Sequence, residues 1–269
     1  MRVLHPCLDL PKPLVMGHRG CAGRLPENTL ASFRAALDDG AVILETDVHL
    51  TRDGEPVLIH DHDVARVTEG IGAVRDLDLR EIEQLDAGYR FSPDGGRSHP
   101  ERGRGHRVPT LRRALDAFPA ARFNLELKDD MPGLVERTLE VIDAVAGAPR
   151  TLLVAADDAL MQRVRTRVAS RGVAVALGAS AGEVARFIQA AARGEAPEPG
   201  ISALQIPTEF DGRPLVTPEL VTHAHRHGVQ VHVWTINEPA EMRQLLDLGV
   251  DGIVSDFPAR VAALVASRH

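Results

Sequence analysis

The chain has 269 residues, 44% of them apolar and 26% charged, with 31 Lys and Arg against 38 Asp and Glu for a formal net charge of -7. Near-average values of this kind exclude disordered, collagen-like and coiled-coil chains, and an acidic total without a basic stripe argues against nucleic acid as a partner. The longest apolar runs fall far short of the roughly 18 residues that a membrane helix needs, so stable membrane insertion is not expected.

The first twenty residues, MRVLHPCLDLPKPLVMGHRG, carry three prolines and no apolar core of a signal peptide, which predicts a cytoplasmic protein. Cys7 and Cys21 are too few for a disulfide framework and are expected as free thiols. Short β-branched or apolar runs then alternate with longer segments whose apolar residues recur every three to four positions. That is the rhythm of repeated βα units. Strands are predicted at 14–17, 42–49, 122–127, 152–155, 173–177, 203–206, 229–235 and 252–254, and helices at 29–37, 111–118, 133–145, 159–169, 183–192, 218–227, 240–248 and 259–266. In the first helix Leu30, Phe33, Ala36 and Leu37 share one face, and Gly40 stands beyond its end. Eight of each in strict alternation predict an α/β fold, a closed (β/α)8 TIM barrel forming one domain over 1–269.

One stretch breaks the rhythm. Residues 64–108 form a long insertion after the second strand, rich in Gly, Arg and Asp, with FSPDGGRSHPERGRGHR at their centre. It reads either as an excursion above the barrel mouth that helps define a substrate site or as a disordered insertion. The polar gap at 193–200 reads as a surface connection.

A barrel of this type puts its active site at the C-terminal ends of the strands, and here those ends are polar. The first ends in Gly17, His18, Arg19 and Gly20. The second carries Glu45, Asp47 and His49 at alternate positions, hence on one face. A hairpin turn at Asp53 and Gly54 then leads back to His60, Asp61, His62 and Asp63. The third strand alternates Asn124, Glu126 and Lys128, and the seventh sets His232 and Trp234 on one face. Carboxylates in an interior normally filled by Val, Ile and Leu are costly unless compensated. Two compensations fit: one divalent cation (Mg²⁺, Ca²⁺ or Mn²⁺, as hard oxygen ligands favour) held by Glu45, Asp47 and Glu126, or a metal-free salt-bridge network with Arg19 and Lys128. His49 either reaches the cation or is a hydrogen-bonded wall residue. A cation beside Arg19 and Lys128 would bind an anionic group, most simply phosphate. His18 and His60 beside it suit phosphoryl transfer, in which one proton leaves the nucleophile and another reaches the leaving oxygen.

In order along the chain, MGHRGCAGRLPENTLASF, ETDVHLTRDGEPVLIHDHD, NLELK, VHVWTIN and GVDGIVSDFP resemble the motifs of the glycerophosphodiester phosphodiesterases, over about residues 15–258. The resemblance implies a (β/α) barrel with one catalytic divalent cation that hydrolyses glycerophosphodiesters to sn-glycerol 3-phosphate and an alcohol. By that similarity Glu45, Asp47 and Glu126 stand at the metal positions and His18 and His60 at the general acid/base positions. Arg19 and Lys128 match the phosphate-contacting pair, and Trp234 matches an aromatic lining the substrate pocket. Glu27 and Asn28 match the family's P-E-N-T turn, where Asn28 is expected to cap the helix beginning near Thr29. The implied partner is a small-molecule phosphodiester, and a homo-oligomer is left open.

Two competing readings are a lysophospholipase D-like activity on lysophospholipids and a non-catalytic phosphate-sensing protein. The first calls for an apolar surface near the mouth, where 97–107 is basic and polar. Retention of every expected catalytic and metal position argues against the second. Cys21 stands where the family commonly has a small residue, as an oxidisable thiol or a buried side chain. His62 is expected as a loop residue. His223, His225 and His227 are spaced like a metal tract, but only His223 and His227 share a helix face and no carboxylate partner is evident.

Overall fold

The computed structural model describes residues 4–268. Strand β1 (Leu14–Gly17) leads through helix α1 (Leu30–Asp38) to β2 (Ile43–Leu50), which turns back as the short β3 (Pro56–Leu58). After an excursion containing α2 (Leu79–Ile82) come α3 (Leu111–Ala117), β4 (Arg122–Leu127), α4 (Leu134–Ala144), β5 (Thr151–Val154), α5 (Asp158–Arg171), β6 (Ala176–Leu177) and α6 (Ala181–Arg193). The chain continues as β7 (Ala203–Ile206), a hairpin of β8 (Glu209–Phe210) and β9 (Arg213–Pro214), α7 (Pro218–Arg226), β10 (Gln230–Val233), α8 (Pro239–Leu248), β11 (Gly252–Ser255) and α9 (Pro258–Ala266).

Among the described residues, eight parallel strands follow the order β6-β5-β4-β2-β1-β11-β10-β7, and β3 lies antiparallel on β2. The two ends of this order meet where the Ser202 N–H, just before β7, donates to the Leu177 carbonyl of β6 at 2.8 Å. The result is a nearly closed (β/α)8 barrel, as the alternation predicts.

Period-two alternation decides which residues fill which layer. Val15, Leu44, Val48, Phe123 and Leu125 point outward and join the apolar faces of the helices in the main core. Leu14, Met16, Ile43, Leu152, Ala176, Ala203 and Val254 form a second cluster together with Cys7 and Leu8. The N-terminal segment thus plugs the barrel at the N-terminal ends of its strands. Gln230 at the start of β10 donates from Nε2 to the Leu8 carbonyl at 2.9 Å, and Lys12 pairs with Asp251. Gly17, where β1 meets α1, has no room for a side chain: a Cβ there would lie 2.5 Å from the Gly20 carbonyl oxygen and 2.9 Å from the Ala36 methyl.

The structure departs from the sequence expectations in three places. The strand expected at 173–177 is only two residues long, because α5 closes on Gly172 at φ +67° with the Val173 N–H donating back to the Val168 carbonyl, and the Val175 N–H then turns onto the Val173 carbonyl instead of pairing in the sheet. The hairpin β8–β9 was not expected, although its turn, Asp211 and Gly212, both at positive φ, is a recognisable hairpin signal. Asn28 does not cap α1. Thr29 does, accepting from the Ser32 N–H, while the Asn28 side chain is drawn away to Asp47 and Thr46. Of the two readings of the excursion, the structure shows an ordered one: Val64, Val74, Ile82, Ala87 and Val108 close an apolar cluster with Val57 and Ile59. Polar groups fasten its outer part, since the Asp86 carboxylate accepts from the N–H groups of Gly88 and Gly103. Among the described residues no helix is long and apolar enough to cross a membrane.

The plug carries a stability prediction. Leu8 is fully buried, so Leu8→Ala should cost about 2 to 5 kcal/mol by urea unfolding. A loss below about 1 kcal/mol would show that the segment is not part of the core.

Candidate active site

Glu45 and Asp47 project from one face of β2, and the β2–β4 register places Glu126 directly beside Asp47. One carboxylate oxygen from each of the three lies within 4.8 Å of the others. Basic and amide groups surround them. The Arg19 backbone N–H donates to Glu45 Oε2 at 2.9 Å, Arg19 Nε lies 3.3 Å from Asp47 Oδ2, and Asn28 Nδ2 donates to the same oxygen at 3.0 Å. Lys128 Nζ sits 3.2 Å from Glu126 Oε1 and 3.5 Å from Asp47 Oδ1. The structure brings together both the acidic cluster and the basic pair expected from the strand ends.

The balance of charge bears on the choice between a metal site and a self-sufficient ion-pair network. Burial, joined by the adjacent Asp47 charge, pushes the Glu45 carboxyl up to about 7, against the opposing pull of His18 and Arg19. Burial pulls Arg19 and Lys128 the other way, but the surrounding carboxylates outweigh it and hold both above their ordinary values, hence charged. With both cations in place the Glu45 carboxyl is still raised. A divalent cation would supply the missing charge, and a donor set of three carboxylates suits Mg²⁺, Ca²⁺ or Mn²⁺ better than Zn²⁺. His49 is a wall residue: Nδ1 meets Asp129 Oδ2 at 2.7 Å and Nε2 meets the His60 carbonyl at 3.0 Å, so both ring nitrogens are engaged.

Two histidines, His18 and His60, are each held by an aspartate in the same arrangement. His18 Nδ1 donates to Asp256 Oδ1 at 2.6 Å, and Asn237 Nδ2 donates to the other oxygen of Asp256 at 2.7 Å. His60 Nδ1 donates to Asp61 Oδ1 at 2.5 Å. A carboxylate acceptor fixes the proton on Nδ1 and leaves Nε2 to exchange one. Burial pulls the His18 pKa down, but the Asp256 hydrogen bond and the Glu45 charge more than offset this, and the net shift is upward. The carboxyls of Asp256 and Asp61 are held below their ordinary range despite burial, chiefly by their histidine partners.

Asp256 and Asn237 were not assigned from the sequence, yet both stand just past strand ends and inside the motifs GVDGIVSDFP and VHVWTIN. The strand-end rule could have found them. Trp234 lies at the rim, 43% exposed, its backbone N–H donating to the Ile206 carbonyl of the adjacent strand. His232, two residues earlier, is buried deep in the barrel, where desolvation pushes its pKa down to about 4 and Nε2 bonds Gln230. The remaining candidates are structural. His62 is exposed, and Cys21 is fully buried with its thiol pKa raised chiefly by desolvation. His225 pairs with Asp251, while His223 packs against the rings of Phe187 and His227.

A carboxylate cluster, a basic pair and two histidine–aspartate dyads at the C-terminal ends of a (β/α)8 barrel make up the layout of an enzyme built for phosphoryl transfer. Residues 18–260 match the glycerophosphoryl diester phosphodiesterase family, and the chain belongs to that family, whose members are phosphoric diester hydrolases. It is 32% identical over 265 residues to a glycerophosphodiester phosphodiesterase of Caldanaerobacter subterraneus subsp. tengcongensis, covering 94% of this chain and 98% of the relative. The crystal structure of a glycerophosphoryl diester phosphodiesterase domain from Mycobacterium tuberculosis is similar with a TM-score of 0.82 at 24% identity, over 96% of this chain and 100% of that one. A phosphodiesterase of Oleispira antarctica, solved in complex with the product sn-glycerol-3-phosphate, is similar with a TM-score of 0.73 at 25% identity, over 94% and 97% of the two chains.

The Glu45 shift gives a pH prediction. A carboxyl whose pKa rises on folding, here from 4.5 to about 7, favours the fold while protonated and loses that contribution as pH climbs through this window. Without divalent cation, urea unfolding should show the wild type losing stability relative to Glu45→Gln between about pH 5 and pH 8. Mg²⁺ or Mn²⁺ added at the higher pH should reverse the loss in the wild type and not in the variant. A pH-independent difference between the two proteins would contradict the electrostatic reading.

Proposed function

We propose that the chain hydrolyses glycerophosphodiesters to sn-glycerol 3-phosphate and an alcohol, with Glu45, Asp47 and Glu126 holding one divalent cation and His18 and His60 moving the protons. The observation that carries this reading is the three-carboxylate cluster, short of positive charge, lying beside two histidines anchored through Nδ1. The activity named for the Caldanaerobacter relative and the product bound by the Oleispira structure support it.

Mg²⁺, Ca²⁺ or Mn²⁺ bound there would supply Lewis acidity toward a phosphate oxygen. Arg19 and Lys128, both held charged, offer the remaining positive charge to the phosphate. The glycerol 2-hydroxyl adjoins the phosphorus, so internal attack is the favoured opening step. The O2–P bond forms, one histidine Nε2 takes the hydroxyl proton, the bond from phosphorus to the alcohol oxygen breaks, and the other histidine gives that oxygen a proton. Water then opens the 1,2-cyclic phosphate with the two histidines in exchanged roles. Asp256 and Asp61 hold both rings through Nδ1 and so leave Nε2 of each to take or give the proton, and Trp234 lines the path of the departing alcohol.

A second reading, cleavage of lysophospholipids, draws on the rim. Phe210 on the β8–β9 hairpin is 70% exposed and Trp234 is 43% exposed, and the two follow the adjacent strands β7 and β10. This apolar edge is what a lipid leaving group calls for.

Turnover of glycerophosphocholine and lysophosphatidylcholine in parallel tests both readings. Chelator should abolish hydrolysis, and Mg²⁺, Mn²⁺ or Ca²⁺ should restore it; full activity in metal-free enzyme would refute the proposal. His18→Ala and His60→Ala should bind metal as before by calorimetry yet lose about 10² to 10⁴ in rate. Glu126→Gln should instead lose metal affinity. Full activity on a 2-deoxyglycerol substrate would rule out internal attack.

A further inference from the structure

We propose that Arg66, contributed by the excursion, is a positioning residue for catalysis that locks the His60–Asp61 dyad to the phosphate-binding Arg19; the inference rests on the acid/base role of His60 argued above. Arg66 uses all three faces of its guanidinium. Nη1 and Nη2 donate to the two oxygens of Glu27 at 2.9 and 2.5 Å, and Nε donates to Asp61 Oδ2 at 2.5 Å. Asp61 in turn holds His60 Nδ1 through its other oxygen. Glu27 Oε1 also accepts from Arg19 Nη1 at 2.9 Å, and Arg19 Nε faces Asp47. A chain of alternating charge therefore runs Asp47, Arg19, Glu27, Arg66, Asp61 and ends on the His60 ring.

The arrangement matches that of the other dyad. There the second Asp256 oxygen is held by Asn237, and here the second Asp61 oxygen is held by Arg66. An aspartate tied at one oxygen only could swing and carry its histidine with it; tying the second oxygen removes that freedom. Arg66 contacts both carboxylates through a rigid planar fork, which a lysine ammonium cannot reproduce. The Glu27 carboxyl, mostly buried, is held below its ordinary value despite that burial by Arg66 and Arg19 together.

The excursion supplies what fixes Arg66. It ends a single 3-10 turn, Val64–Arg66, capped by the Asp63 carboxylate accepting from the Ala65 N–H. Val64 inserts into the excursion's apolar cluster, and the Val74 N–H ties the returning chain to the His62 carbonyl. Folding of the excursion is thereby coupled to the geometry of a catalytic histidine.

The test uses the full-length, Mg²⁺-loaded enzyme with glycerophosphocholine as substrate. Arg66→Ala should lose about ten- to a hundredfold in kcat, the range for removing a group that orients a catalytic ligand, with KM and calorimetric metal affinity little changed. The downfield proton NMR signal of His60 Nδ1–H, assigned by its absence in His60→Gln, should shift or vanish in the same variant, and free guanidinium should restore part of its rate. Arg66→Lys keeps the charge and the stem, so it should unfold at the wild-type temperature yet retain the loss in kcat. Wild-type kcat in either variant, or a loss of kcat with an unaltered His60 signal, would overturn the positioning role alone. A wild-type enzyme without activity on the diester would overturn the parent reading and this role with it.

Discussion

Three carboxylates that must face one another inside a barrel are the constraint on which the rest of the site depends. Two of them follow from a single strand's alternation, and the third from the register between β2 and β4. Like charges at this spacing, away from bulk water, repel strongly. Everything packed against them answers that repulsion: the Arg19 backbone and side chain, the Asn28 amide, Lys128, and a cation that hard oxygen donors would attract. The unusual backbone of the first loop belongs to the same solution. Arg19 and Asn28 both adopt positive φ, at 48° and 57°, and these turns bring an amide N–H and a side-chain amide onto Glu45 and Asp47.

A second layer of order lies around the histidines. Each is held by an aspartate, and each aspartate by a further donor from a different part of the chain. His18 depends on the loops after β10 and β11, which are close in the finished barrel although far from it in sequence. His60 depends on the excursion, whose apolar cluster is small but closed. The long segment between β3 and α3 is thus tied through Arg66 to Asp61 and Glu27. At the other end of the barrel the N-terminal plug contributes packing, with Leu8 beneath the strands.

Much of this was legible in the sequence because local periodicity carries it. The alternating Glu45 and Asp47, and Glu126 with Lys128, announce inward-facing polar groups before any fold is known. The strict βα rhythm sets the barrel. What periodicity could not give was the outcome of competition between partners. Asn28 has the side chain of a helix cap and sits one residue before the true cap, yet the buried Asp47 carboxylate wins it, since an unpaired charge there costs more than a lost cap. The shortening of β6 followed from the closure after α5, where the N–H groups of Val173 and Val175 bond back to the carbonyls of Val168 and Val173 and are lost to the sheet. Contacts between distant segments, such as Asp256 with His18 or Arg66 with Glu27, have no local signature, and only the closed barrel juxtaposes them.

The account stands on one centre, a cation among Glu45, Asp47 and Glu126, and diffraction from crystals grown with Mn²⁺ tests it most directly. The account predicts a strong anomalous peak bonded to oxygens of all three carboxylates, at about 2.0 to 2.6 Å as hard divalent cations require. It also predicts that the Lys128 ammonium will move off Glu126. An anomalous peak elsewhere, or three carboxylates still bridged by Lys128 and Arg19 with no peak between them, would contradict it.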